Sequence, residues 1–357
     1  MKKNSNGNGR SRTRSIGRRP NHDIIVIGTS AGGVEALIEL VGGFPPDLPA
    51  AVFVVIHLAS FQDSTLPQIL SRNGALPAAF AVHGETIRTG RIYLAPPDAH
   101  LMLQPDHVRV IRGPKENGHR PAVDPLFRTA ARAFESRVVG VILTGALDCG
   151  TAGLLSVKAR GGLAVVQDPN DAFCADMPRS ALRHVKVDYV LPLLKIPSQL
   201  ARLAREPAIQ GKGEKMRRPN EQGESNGTPV ADLTCPECSG ALKETEVNGL
   251  LQFNCHVGHV YSEESMLMEQ GEATEAALWG AVRALQESEN LARRMATRSD
   301  ASLSARFYEK AEAAKQHWER IRNILLNGEG EDLVEALKPS PPRKQSKPAS
   351  RRVMVRK

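Results

Sequence analysis

Aromatic residues are scarce in this chain of 357 residues, at 4% of the whole, with two Trp and four Tyr. A core must then be built from Val, Ile and Leu, which favours buried strands under covering helices and disfavours a nucleic-acid surface of stacked rings. Long apolar runs are missing too. No stretch approaches the ~20 residues of a membrane span, and the charged N-terminus has no apolar segment behind it, so neither membrane insertion nor a secretory signal is expected. Cysteines number only five, three of them grouped with histidines near the C-terminus. That grouping suits reduced thiols and a metal site in a cytoplasmic protein better than disulfides.

Acidic residues are absent from both ends. The first 20 residues hold seven Lys/Arg and the last 20 hold eight, whereas the whole chain carries only +8, which leaves residues 21–337 at −7. The ends are rich in Gly, Ser, Asn and Pro and bury too little apolar surface to order themselves. Residues 1–20 and 331–357 therefore read as disordered basic tails, and specific nucleic-acid binding is not expected of them.

Between residues 21 and 206, short apolar runs alternate with helical patterns. This is the signature of an α/β fold, a doubly wound, mostly parallel sheet with helices on both faces. Asp23–Gly28, Ala51–Ile56, Val138–Leu143 and Leu163–Val166 read as buried strands, with helices at about 32–42, 64–72, 151–160 and 176–184. An insert from about 78 to 112 holds Gly90–Leu94, Leu101–Leu103 and Val108–Ile111, which predict a hairpin at the sheet edge. Residues 207–231 are polar and read as a flexible linker. A knuckle follows at 232–262 and a helical hairpin at 263–330, where Leu278, Val282, Leu285 and Ala292 face Phe307, Ala311, Ala314, Trp318, Ile321 and Leu325.

Gly28-Thr29-Ser30-Ala31-Gly32 follows a strand and opens a helix, as a nucleophile elbow requires. It lacks the spacing of a dinucleotide loop and the Gly-Lys ending of a P-loop. His57 ends the next strand on the same rim, where open parallel sheets assemble their sites, and imidazole is the side chain suited to take a serine proton near neutral pH. Asp148, after the third strand, is the candidate for a third member that orients the imidazole, with a helix-capping role as the alternative. Asp168, beside Pro169, reads as a turn residue.

Several segments occur in one order: Ile27–Gly33, the strand ending in His57, Tyr93–His100, His119–Asp124, Val141–Gly145 with its Gly-rich sequel, and Met177–Ala181. In this, residues 21–195 resemble the catalytic domain of the chemotaxis methylesterase (CheB) family. The resemblance implies hydrolysis of glutamate methyl esters on chemoreceptors, with Ser30 as nucleophile, His57 as base and no catalytic cofactor. It also implies that Gly145 and Ala146 form the oxyanion region and that His119, Arg120, Asp124 and Arg179 surround the site, as substrate contacts or as hydrogen bonds within the fold.

Two departures stand out. Cys149 occupies the position where the family carries its catalytic Asp, with Asp148 one residue earlier. Either Asp148 substitutes for that acid, or the chemistry is weakened and the chain serves as a binding or regulatory module in chemosensory signalling. Nor does a receiver domain precede residue 21, so regulation is expected from elsewhere or not at all.

Cys235-Pro-Glu-Cys238 and Cys255-His256-Val-Gly-His259 give two short chelating pairs with a hairpin-length spacer. This spacing predicts a closed structural zinc site of Cys235, Cys238, Cys255 and His259, with His256 as the alternative fourth ligand. The helical hairpin is expected to serve self-association or partner docking.

Overall fold

A computed structural model describes residues 21–57, 64–208, 227–247 and 249–326. Both expected tails, and residues 209–226 of the expected linker, lie outside the described residues. Among the described residues no helix is long and apolar enough to cross a membrane.

The N-terminal part alternates strand and helix as the apolar pattern demands. It begins with β1 (Ile24–Thr29), α1 (Gly33–Gly42), β2 (Ala51–Ile56), α2 (Leu66–Asn73), β3 (Ala78–Phe80) and β4 (Arg91–Leu94). A pair of short strands, β5 (His100–Leu103) and β6 (Val108–Ile111), precedes α3 (Val123–Phe134) and β7 (Val138–Ile142). Then come α4 (Thr151–Ala159), β8 (Leu163–Gln167), α5 (Asp176–His184), β9 (Tyr189–Leu191) and α6 (Ile196–Leu203).

Seven strands form one sheet in the order β3-β4-β2-β1-β7-β8-β9, every pair parallel. Chain order reverses between β1 and β7, which creates the crevice at which such sheets place their ligands. Successive residues of each strand serve opposite faces. Ile24 and Val26 join one core with Phe53 and Phe127, whereas Ile25 and Ile27 join the other with Leu37 and Leu200. Burial on both faces explains why these strands are continuously apolar instead of alternating.

The expected edge hairpin is corrected in one respect. β5 and β6 do pair antiparallel, but as a separate two-stranded sheet, tied to α3 by Leu103 N–H donating to Thr129 Oγ1 at 3.0 Å. Arg91–Leu94 is instead an interior parallel strand between β3 and β2. Its Ile92, Tyr93 and Leu94 are all buried, and Pro96, Pro97 and Asp98 (φ 55°) break the chain away before β5.

The C-terminal module is a four-stranded antiparallel sheet of β10 (Thr228–Thr234), β11 (Ala241–Val247), β12 (Leu250–Cys255) and β13 (Val260–Ser262). β10 starts inside the stretch expected as linker, because Val230 and Leu233 pack on the small core of Cys235, Leu242, Phe253, Cys255, Tyr261 and Met266. Pro229 fits there because β10 is an edge strand. Two helices follow, α7 (Glu263–Ala296) and α8 (Ala301–Leu326). The chain divides into compact units at Gln270. Within the second unit Val282, Ala292, Ala296, Ala311 and Ala314 are buried, and Trp318 Nε1 donates to Glu289 Oε2 at 2.8 Å.

Phe127 sits in the core between α3 and the sheet and is fully buried, while Phe173 is 84% exposed. Phe127→Ala is expected to lower the unfolding free energy by about 3–5 kcal/mol in urea titration. Phe173→Ala is expected to change it by no more than about 0.5 kcal/mol.

Candidate functional site

Parallel register builds the site. Thr29 pairs with Ile56 across β1 and β2, so Ser30 and His57 leave the sheet side by side at its carboxyl rim. Ser30 N–H donates to Thr144 O at 3.0 Å, and Gly33 N–H to Ser30 O at 2.8 Å, which fixes the strand-to-helix turn. Gly32 caps α1 with φ 74°, in the left-handed region, and any side chain there would meet Phe173 at 2.7 Å. The positive end of the α1 dipole therefore lies beside the hydroxyl.

His57 is held by its backbone, with N–H donating to Thr29 O at 3.4 Å. Its ring stacks on His119 at 3.7 Å between centroids and 28° between planes. Both ring nitrogens are shielded from solvent and lack a hydrogen-bond partner among the described residues. Burial first, and then the neighbouring His119, push the His57 pKa well below the ordinary imidazole value. Burial and Lys115 lower that of His119 as well. Both rings are neutral near pH 7, the state a general base requires.

Beyond β7 the chain crosses close to Ser30. A side chain at Gly145 would collide with Met177 Sδ and come within 2.9 Å of Ser30 Cβ. Thr144, which the motif reading passed over except as a spacer, is the hub here. Its hydroxyl bonds Ala31 O at 2.8 Å and Cys174 O at 3.2 Å, and its carbonyl accepts from Thr29 Oγ1 at 2.8 Å. The expected oxyanion pair is only half available, because Gly145 N–H already donates to Cys174 O at 2.9 Å. Ala146, exposed on the same loop, is the remaining member of that pair.

Asp148, the expected third member, makes no hydrogen bond to His57 among the described residues. Asp148 Oδ1 accepts from Ser262 Oγ at 2.7 Å and from Ser265 Oγ at 3.2 Å, not from His57. Burial raises its pKa, opposed by Ser262. Cys149 is buried, its sulfur 3.4 Å from Val123 N and 3.8 Å from Asp124 Oδ2. Burial and then the Asp124 charge push the thiol pKa far up, so Cys149 is neutral and cannot act for a carboxylate.

The remaining residues named from the sequence mostly hold the fold. Asp124 accepts from the N–H groups of Gly150 (3.0 Å) and Gly153 (2.6 Å) and from Asn117 Nδ2 (3.1 Å), tying α3 to the start of α4. Burial raises its pKa to about 6. Arg120 donates to Asp98 at 2.7 Å and to Gly113 O at 2.9 Å, so its guanidinium is engaged within the fold. Arg179 is exposed in the first turn of α5. Asp168 accepts from Asn170 N–H at 2.9 Å, a turn contact as its sequence setting implies.

A second constellation lies in the C-terminal sheet. One ligand atom each from Cys235, Cys238, Cys255 and His259 falls within 4.8 Å of all the others, a group able to hold a metal ion. Cys238 Sγ is 3.8 Å from Cys255 Sγ, and His259 Nδ1 is 3.5 Å from Cys235 Sγ and 3.4 Å from Cys255 Sγ. His259 takes the fourth place while His256 is exposed beside Gly240.

Residues 25–200 match the family described as CheB methylesterase. A Leptospira interrogans protein provisionally named protein-glutamate methylesterase/protein-glutamine glutaminase is 40% identical over 184 residues, 51% of this chain and 95% of that relative. Protein-glutamate methylesterase/protein-glutamine glutaminase 2 of Anaeromyxobacter dehalogenans is 38% identical over 51% of this chain and 54% of its own length. The crystal structure of the Thermotoga maritima CheB methylesterase catalytic domain is similar at a TM-score of 0.50 and 34% identity, covering 51% of this chain and 98% of that domain. Near-complete coverage of the Leptospira relative at 40% identity, together with the family match over residues 25–200, makes this chain a member of the CheB methylesterase family.

Proposed function

We propose that residues 21–206 hydrolyse methyl esters of glutamate side chains on chemoreceptor cytoplasmic domains, giving glutamate and methanol. The observation that carries this reading is the placement of Ser30 and His57 on neighbouring strand ends, with a buried, neutral imidazole. His57 takes the Ser30 proton as Oγ attacks the ester carbonyl. The oxyanion is met by the Ala146 N–H and the α1 N-terminus. Collapse breaks the C–O bond, and the proton on His57 leaves with methoxide as methanol. Water, deprotonated by His57, then attacks the acyl-enzyme and returns Ser30 and a carboxylate. The relatives' names extend the same chemistry to a glutamine amide, with ammonia in place of methanol.

A second reading is favoured by the acid positions. With Cys149 neutral and Asp148 bonded elsewhere, His57 has no orienting carboxylate among the described residues. Loss of that acid in serine hydrolases costs up to ~10⁴ in turnover while leaving measurable catalysis. A slow enzyme, or a receptor-binding module that retains the fold, is the outcome this geometry supports.

The Cys/His group is proposed as a structural zinc site. Bonds of ~2.3 Å to sulfur and ~2.0 Å to nitrogen in a tetrahedron require edges of roughly 3.8 Å (S···S) and 3.5 Å (S···N). The separations of 3.8, 3.5 and 3.4 Å meet both. Four protein ligands leave no open position, so zinc here would join strand ends and not bind substrate. Three metal-binding thiols require a reducing compartment, which supports placement in the cytoplasm.

A fluorophosphonate probe is expected to label Ser30 in the purified protein and to lose that label in Ser30→Ala and His57→Ala. An unlabelled natural protein would leave only the binding-module reading. Because the His57 pKa is depressed, the base stays neutral as pH falls. The acid limb of the labelling rate should therefore lie below pH ~6.5, the ordinary imidazole value, and a limb above it would contradict the burial argument. Metal analysis should find zinc at about one equivalent per chain, lost in Cys235→Ala together with the thermal transition of the C-terminal sheet. A full transition without metal would exclude a structural role.

A further inference from the structure

The C-terminal sheet continues past its own edge strand. Val260 bridges to Glu116, Asn117 N–H donates to Val260 O at 2.7 Å, and Val260 N–H reaches Lys115 O at 3.4 Å. Asn117 Oδ1 accepts from Ser262 N–H at 2.9 Å, and Lys115 pairs with Glu237 at 3.0 Å. Two residues after Asn117 comes His119, whose ring lies on His57. The module is thus built into a loop that touches the base.

It also reaches the loop that carries the acid. Ser262 and Ser265, at the junction of β13 and α7, both donate their hydroxyls to one oxygen of Asp148. Ser265 is fully buried, and Ser262 Oγ also caps α7 by accepting from Ser265 N–H at 3.2 Å. These bonds span 114 and 117 residues of sequence, so they exist only when the module is docked. Meanwhile the nitrogens of His57 are buried without a partner among the described residues, an arrangement that is costly unless an acceptor arrives.

We propose that Ser262 and Ser265 are positioning residues that latch Asp148 away from His57, and that opening this latch returns the carboxylate to the base and accelerates ester hydrolysis. The inference rests on the hydrolase reading above. Two serine donors on Oδ1 hold the Asp148 side chain at the module, and a carboxylate held there is not free to swing to the imidazole, so the balance between the two arrangements sets the rate. Whatever binds the module and draws β13 and the start of α7 aside would activate the enzyme. Among the described residues, His119 is the titratable group that acts on His57, and Glu264 the charged group that acts on Asp148. A carboxylate at His57 would stabilise the imidazolium, so release should raise the plateau rate and also move the acid limb of the pH profile to higher pH. Loss of structure alone would not do both.

The test compares fluorophosphonate labelling rates and their pH profiles in full-length variants. Ser262→Ala/Ser265→Ala should label about tenfold faster or more, a part of what a restored acid is worth, with the acid limb moved upward. Ser262→Thr keeps a hydroxyl and should keep the natural rate. Ser265→Ala alone leaves the α7 cap in place and should show a smaller gain in the same direction, which decides the matter if the double variant does not fold. Adding Asp148→Asn to the double variant should remove the gain. An unchanged or lower rate in the serine variants, or a gain that survives Asp148→Asn, overturns the latch while a labelled natural protein leaves the hydrolase standing. Absence of label in every protein overturns both.

Discussion

Parallel pairing of β1 with β2 is the constraint on which the site depends. Because Thr29 lies beside Ile56, the next residue of each strand emerges at the same rim, and Ser30 and His57 take adjacent places there without any local sequence relation between them. The glycines around the rim serve this approach. A side chain at Gly33 would press on Thr29 at 2.6 Å and one at Gly150 on Ile142 at 2.7 Å, so β1, β7 and their helices can close up only where those positions are bare.

Among the described residues, charge beneath the rim holds loops and does not reach His57. Asp124 spends its oxygens on the amides of Gly150 and Gly153, and Arg128 forks onto Glu116 at 2.7 and 2.9 Å. Cys149 sits against this network as a neutral thiol. The His57 ring is consequently neutral for two reasons, burial and the adjoining His119, and among the described residues no carboxylate opposes them. Such a base accepts protons weakly at low pH yet stays available in neutral solution, consistent with a slow but competent hydrolase.

What the sequence revealed followed the range of the forces involved. Continuous apolar runs marked β1, β2, β7 and β8, and their ends located Ser30 and His57, because burial on both faces leaves a local signature. The clustering of Cys235, Cys238, Cys255 and His259 was legible for the same reason, since a group able to chelate needs short spacing within each pair. Sheet membership was not legible for Arg91–Leu94. Whether a four-residue apolar run pairs inside the sheet or in a hairpin depends on what lies beside it. α3 is not among the expected helices, although Val123, Leu126, Phe127, Ala130, Ala131 and Phe134 recur at helical spacing and are buried. The partners of Asp148 could not be read at all, since Ser262 and Ser265 reach it only through tertiary docking.

Methanol release from a methylated chemoreceptor domain, measured for the natural protein beside Ser30→Ala, tests the central claim most directly. The account predicts release by the natural protein and none above the spontaneous rate with Ser30→Ala. Equal release by the two proteins would show that this hydroxyl is not the nucleophile and would contradict the site described above.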